Sequence, residues 1–267
     1  MTRLFRGNGK TIIGMVHLRP LPGTPFHEEG SFPDIVRTAV ASARALADGG
    51  ADGCLVQTVD RVYGVADESD PARTATMALV VRAIADEVGP DFPVGVQIMR
   101  NALRASIAVA KVAGGRFIRA GALIGRTVTP HGVVQADPLT VLAYRKAIGA
   151  EDVDIVADVD SMHFRPADSG MTTARAAWAA VQVGATAVSL GSPDEERALA
   201  MVRSVRDTVP GVPVVLAGHT THANASRLLA EADGAFVGTC LEQGGWGGRI
   251  ELERVREYVG IARGLEG

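Results

Sequence analysis

The stretch TTARAAWAAVQVGATAVSLGSPDEERALAMVRSVRDTVPGVPVVLA, residues 172–217, decides the fold. Residues 172–183 are Ala-rich with helical periodicity, Gly184 interrupts them, and residues 187–190 form a short apolar run that reads as a strand. Residues 194–208 read as helix again, and residues 214–217 as the next strand. Toward the N-terminus the same alternation gives strands at 154–159, 116–119, 94–99, 54–59 and 11–17. Their helices fall at 138–148, 102–113, 71–88 and about 34–48, with a long loop between the fourth strand and its helix. Toward the C-terminus come a helix at 221–231, a strand at 234–237 and a closing helix at 250–263. Gly50, Gly114 and Gly184 recur where a helix must end and turn into a strand, a place suited to the left-handed conformation, and Ala232-Asp-Gly-Ala235 occupies the equivalent junction near the end. Eight such units in about 250 residues fit a (β/α)8 TIM barrel of the α/β class. With no linker visible, residues 1–267 read as one domain. An open doubly wound sheet is the alternative, but no Gly-x-Gly-x-x-Gly follows the first strand.

Composition narrows the function. Of 267 residues, 47% are hydrophobic and 21% charged, which excludes disorder. Lys plus Arg number 27 against 30 Asp plus Glu, for a formal charge of −3 with no basic cluster, so no nucleic-acid duplex is expected as partner. Aromatic residues are only 4%, too few for base-stacking platforms. No uninterrupted apolar run reaches the roughly 18 residues that membrane insertion requires. The opening segment, residues 1–10, lacks the apolar run of a signal peptide, so a cytoplasmic location is expected. Cys54 and Cys240 match no metal or redox spacing and read as buried, inert thiols.

In a TIM barrel the active site lies at the C-terminal ends of the strands. The residues falling there are His17; Gln57 and Asp60; Gln97, Arg100 and Asn101; Arg119; Asp158, Asp160 and His163; Ser189; His219; and Gly238 with Thr239. Polar groups gathered at one end of apolar strands are costly unless paired or used, and their clustering is the functional signal. The densest segment is Asp158-Val-Asp-Ser-Met-His163. A continuing strand would point Asp158 and Asp160 to one side, as acid and base or, with His163, as ligands for a divalent metal ion. The bland reading has Asp158 holding loop amides and His163 packed under a loop. Arg100 and Arg119 could fork onto an anionic substrate or pair with strand-end carboxylates. His219 and His222 share a helix face if the helix begins there, although His222 reads better as an exposed first-turn residue. Gly218 and Gly238 end the last two strands just before turns, where many barrels cradle a phosphate on backbone amides, with Thr239 adjacent. The run Gly244-Gly-Trp-Gly-Gly248 reads either as a mobile flap or as a surface loop anchored by Trp246. Ser189 lacks the context of a hydrolase nucleophile.

The opening block Ile12-Ile-Gly-Met-Val-His-Leu-Arg-Pro-Leu-Pro-Gly-Thr-Pro25 closely resembles the signature of the BtpA/SgcQ family. The similarity recurs at Gly95-Val-Gln-Ile-Met-Arg-Asn101, Phe117-Ile-Arg119, Ala157-Asp-Val159 with His163, and Asp233-Gly-Ala-Phe-Val-Gly-Thr239, spanning nearly the whole chain. The resemblance implies a ribulose-phosphate-binding type of barrel. It supports His17, Arg100, Asn101, Arg119, Asp158, His163, Gly238 and Thr239 as site positions without assigning roles. One family branch is linked to photosystem I accumulation, another to sugar-transport and phosphosugar genes. This chain reads as a divergent member: Met162 stands where the family usually has Lys, and Glu242 where it often has Lys. Ala217-Gly218-His219 replaces a Gly-Ser-Gly-like turn, and Gln57-Thr-Val-Asp60 an Asn- and Gly-containing motif.

Together these readings predict an enzyme acting on a sugar phosphate, nucleotide or related glycosyl compound. Its chemistry would be acid–base: isomerisation, a lyase step, or C–O or C–N cleavage or transfer. Asp158 and Asp160 would be general base and cation stabiliser, with His163 or His17 donating the proton. Gln57, Asp60, Gln97, Arg100, Asn101, Arg119 and His219 would bind substrate, and Gly218, Gly238 and Thr239 a phosphate. No cofactor motif is present; the metal arrangements the pattern allows are a divalent ion at the two aspartates with His163 and a His219–His222 pair. The alternative is a non-catalytic biogenesis or assembly factor for a membrane complex such as photosystem I. Trp178 and Met201 could serve a homo-oligomer interface or interhelix packing.

Overall fold

The computed structural model describes residues 4–5, 9–60, 62–168 and 170–265; most of the opening segment read above lies outside them. Eight parallel strands close a barrel: β1 (Thr11–Leu18), β2 (Gly53–Thr58), β3 (Val94–Gln97), β4 (Phe117–Ala120), β7 (Asp154–Asp160), β8 (Ala187–Leu190), β9 (Val214–Ala217) and β10 (Gly234–Val237), with β1 pairing both β2 and β10. The strands β5 (Arg126–Thr129) and β6 (Gly132–Gln135) form a separate antiparallel hairpin inside what reads from sequence as the long loop. The helices are α1 (Phe32–Asp48), α2 (Pro71–Val88), α3 (Leu103–Ala113), α4 (Pro138–Ala147), α5 (Thr173–Gln182), α6 (Glu195–Thr208), α7 (Ala225–Leu229) and α8 (Leu252–Arg263).

Local chemistry sets these boundaries. The side chains of Asp70, Asp137, Thr172 and Asp194 accept hydrogen bonds from the first-turn amides of α2, α4, α5 and α6. Pro71 and Pro138 open α2 and α4, where a missing N–H costs nothing. Gly50, Gly114 and Gly184 take φ of 85°, 89° and 89°, as the junction pattern predicts. Two elements are shorter than their sequence suggests. β3 stops at Gln97 because Met99 turns left-handed, at φ 53°, with its N–H donating to Thr58 Oγ1. α7 starts at Ala225 because Asn224 Oδ1 accepts from Thr221 N at 2.7 Å, closing a turn over the preceding residues.

Strand alternation sorts the side chains into two cores. Ile12, Cys54, Val56, Val96, Ile118, Val188 and Leu216 join the layer between barrel and helices. Ile13, Met15, Leu55, Phe117, Val156, Ala187, Val215 and Phe236 fill the barrel interior. Phe117 lies where a side chain on Gly95 would have to be, with its Cζ only 2.2 Å from an ideal Cβ. Met201 belongs to the buried core, whereas Trp178 is exposed on α5. No described helix is long and apolar enough to cross a membrane.

Candidate functional site

Two residues beyond the apolar interior, each strand presents its next inward position: His17, Gln57, Gln97, Arg119, Asp158, Ser189, Ala217 and Gly238. On six strands that position carries a polar side chain, and on β9 and β10 it carries almost none. The space left open is a cavity of about 570 Å³ at the C-terminal mouth of the barrel, within the range typical of small-molecule sites. Met15 and Phe236 reach it from the core, and His17, Gln57, Arg119, His163, Gly218, His219, Gly238 and Thr239 line it, together with Tyr63 and Trp246.

Arg119 and Asp158 form one unit. Asp158 Oδ1 accepts from Arg119 Nε at 3.0 Å and from the Ser189 hydroxyl. Its Oδ2 accepts from Arg119 Nη2 at 3.1 Å and from Ser161 Oγ at 2.9 Å. Both oxygens are thereby saturated, and Asp158 is fully buried away from the cavity. The general-base role expected of Asp158 is therefore corrected: its carboxylate positions the guanidinium. Arg119 lies over the Phe236 ring, 5.0 Å from Cζ to the centroid, and presents its remaining donors to the cavity.

The pairing of Asp158 with Asp160 also fails. The register against β8 shifts between these residues, and Asp160 instead accepts from Thr173 Oγ1 at 3.0 Å and faces Arg197 at 3.5 Å, at the starts of α5 and α6. The bulge turns the second carboxylate out of the interior. This undoes the metal arrangement too, and among the described residues no group of three or more His, Cys, Asp or Glu is placed to hold a metal ion. His163 does line the cavity. Desolvation, reinforced by the Arg119 charge, pushes its pKa down to about 3, so at neutral pH the ring is uncharged and is no proton donor of the imidazolium kind.

His17 is paired with a buried carboxylate. Its Nδ1 lies 2.6 Å from Glu242 Oε1, and Glu242 is almost fully buried. That bond places the Nδ1 proton toward the carboxylate and leaves Nε2 without a protein partner among the described residues. An ideal Cβ on Gly238 would come within 2.9 Å of His17 Cε1, so only glycine lets the ring lie where it does. The other oxygen of Glu242 accepts from Gly247 N at 2.8 Å, tying in the loop that bears Trp246. The indole lines the cavity with its ring centroid 5.9 Å from that of His17.

Other expected positions fall elsewhere. Gln97 is buried beneath the cavity, and its amide has no protein partner among the described residues. Asn101 is buried and accepts from Ala122 N at 3.0 Å, bracing the loop after β4. Asp60 is buried beside Arg73 at 4.0 Å, off the cavity, and burial raises its pKa against the opposing pull of that arginine. Arg100 does not line the cavity; it stacks over Tyr63 at 5.9 Å behind the wall. His219, exposed on the rim with φ 62°, holds a strained backbone of the kind that clusters at functional sites. His222 is not an exposed first-turn residue: its Nε2 meets Arg254 O at 2.8 Å and its ring packs edge-on to Tyr258. Burial raises both thiols, Cys54 to about 12 and Cys240 to about 11, yet Cys240 is only half-buried and lines the cavity. The residue that sequence reasoning missed is Glu242. It belongs to no dense polar motif, and its one signal is that it departs from the family pattern that the resemblance implies.

A closed barrel of eight parallel strands with alternating helices defines this chain as a TIM-barrel protein. The chain belongs to the BtpA family, whose model matches residues 8–264. It is 31% identical over 260 residues to an uncharacterised protein of Archaeoglobus fulgidus, covering 96% of this chain and 99% of that one. It is 29% identical to the photosystem I biogenesis protein BtpA of Synechocystis, over 96% of this chain and 89% of that one. Among solved structures it resembles tryptophan synthase from M. tuberculosis, with TM-score 0.62 and 20% identity over 97% and 94% of the two chains. It also resembles 3-hexulose-6-phosphate synthase from Salmonella typhimurium, with TM-score 0.59 and 12% identity over 96% and 99%. At these identities the structural matches establish the shared fold.

Proposed function

We propose that this protein is an enzyme that performs acid–base chemistry on a small sugar-derived compound held at the mouth of the barrel. The observation that carries the reading is the His17–Glu242 pair at 2.6 Å, with the second imidazole nitrogen unpartnered among the described residues in a cavity that also holds Arg119. Nε2 of His17 takes a proton from the substrate and returns it. The buried Glu242 carboxylate stabilises the imidazolium formed in between. Arg119, held in place by Asp158, stabilises negative charge developing on a substrate oxygen. The glycine turns after β9 and β10, Gly218-His219 and Gly238-Thr239, receive an anionic group of the substrate. Asp158 already neutralises Arg119, and no lysine stands among the described residues that line the cavity. The site therefore offers a phosphate one guanidinium and the backbone amides of the glycine turns rather than a cluster of free cations.

The test begins with thermal shift against sugar phosphates, nucleotides, inorganic phosphate, free sugars and nucleosides. A ligand at 100 times its dissociation constant stabilises by about 2.7 kcal/mol, which is readily measured. With a turned-over ligand in hand, His17→Gln should cut the rate by about 10²- to 10⁴-fold with only a modest change in melting temperature. Undiminished turnover in that variant would sink the assignment. The name of the Synechocystis relative favours a second reading, a non-catalytic biogenesis factor. That reading predicts no stabilising small molecule and no functional loss on altering His17.

A further inference from the structure

We propose that Trp246 is the ring-recognising wall of the cavity and that the ligand is cyclic, presenting an apolar ring face to the indole. This rests on the reading of the barrel mouth as the active site.

Three observations carry it. The first is exposure: Trp246 is 63% exposed while lining the cavity, so an indole face is offered to whatever enters. A large aromatic left uncovered over a pocket wall is costly unless something stacks on it, and flat rings and the C–H faces of sugar rings do so. The second is that the loop presenting Trp246 is built and held. Gln243 N donates to Arg249 O at 2.8 Å, and Gly248 N to Gly245 O at 3.0 Å, while Glu242 bridges to Ile250 at the base. Gly244, Gly245 and Gly247 all take positive φ, so the tight path around the tryptophan needs glycine on both sides of it. The third is linkage to the reacting group. The carboxylate that orients His17 also holds Gly247, the residue after Trp246, so one anchor fixes the distance between the indole and the imidazole. A ring seated on the indole is thereby set beside His17 Nε2. Gln57, beside His17 on the neighbouring strand, and Arg119 supply polar partners for substituents on the ring. An open-chain compound of equal charge gains the polar contacts but not the stacking.

Binding of three probes, uridine, ribose 5-phosphate and glycerol 3-phosphate, is measured by calorimetry on the full chain and on Trp246→Ala and Trp246→Phe. The chain has two tryptophans, so Trp178→Phe leaves Trp246 as the sole reporter for a parallel fluorescence titration. The expected result is about a tenfold loss for the ring-bearing probes in Trp246→Ala. Most of that affinity is kept in Trp246→Phe, glycerol 3-phosphate is unaffected, and Trp246 emission changes only with the cyclic probes. Uridine against ribose 5-phosphate tells a base from a sugar ring as the stacked group. Equal loss, or no loss, for cyclic and open-chain probes would overturn the inference while leaving the cavity as the site. Binding of none of the three to the wild-type chain would overturn the inference and the proposed function together.

Discussion

The two sides of the barrel mouth each contain a buried carboxylate bound to a basic side chain, and they are built to opposite ends. On the β4–β7–β8 side, Asp158 takes two hydrogen bonds on each oxygen and is sealed from the cavity. On the β1–β10 side, Glu242 divides itself between His17 and a loop amide, and the second nitrogen of that imidazole has no partner among the described residues and lies beside open space. A saturated carboxylate can only position; an unsaturated dyad can exchange a proton. The density of polar residues in a segment is thus a poor guide to which group stays open to the cavity, because a dense segment is also the one best able to satisfy itself. Asp158, Ser161 and His163 illustrate this, since Ser161 Oγ donates to Asp158 and accepts from the His163 amide at 3.0 Å.

The largest effect expected from breaking this contrast is on the sealed side. Asp158→Ala strands the Arg119 guanidinium in the interior and should lower stability in urea by about 3–5 kcal/mol. Removing both charges together, Arg119→Met with Asp158→Leu, should recover much of that stability while abolishing ligand binding. Recovery of binding as well would show that Arg119 is structural only. A smaller effect is expected on the open side. Glu242→Gln removes a charge-assisted bond worth about 1.5–3 kcal/mol, so turnover should fall roughly tenfold to hundredfold with a modest change in melting temperature. A rate loss as large as that of His17→Gln would mean that the carboxylate does more than orient and stabilise the ring.

At neutral pH the smallest effect concerns His163, whose influence appears only as the solution is acidified. Its pKa lies at about 3 in the folded protein against 6.5 in the open chain, so the unfolded state binds more protons between those values. Its contribution to stability is therefore intact above pH 6.5 and is lost progressively as the pH falls toward 3. His163→Gln should flatten that part of the stability–pH curve, as read by urea denaturation across the window. An unchanged slope would show that the acid sensitivity belongs to other groups.

What the sequence determined by itself was the alternation. Helix caps at Asp70, Asp137, Thr172 and Asp194, glycines at the helix-to-strand junctions and the apolar strand runs are local signals, and each acts through its own few residues. Eight repeats of such signals close a barrel, and strand ends locate its mouth. His17, Gln57, Arg119, His163, Gly218, His219, Gly238 and Thr239 were legible as mouth residues for that reason. The direction each group faces was not local. A bulge between Asp158 and Asp160 sends the second carboxylate toward α5 and α6, and the register with β8 that creates it is set by a neighbouring strand. Pairing of Glu242 with His17 joins residues 225 positions apart, brought together where β10 lies beside β1 to close the barrel. The position of the cavity follows from the absence of bulk at Ala217 and Gly238 facing filled positions across the barrel, a property of the closed ring of strands and of no segment alone.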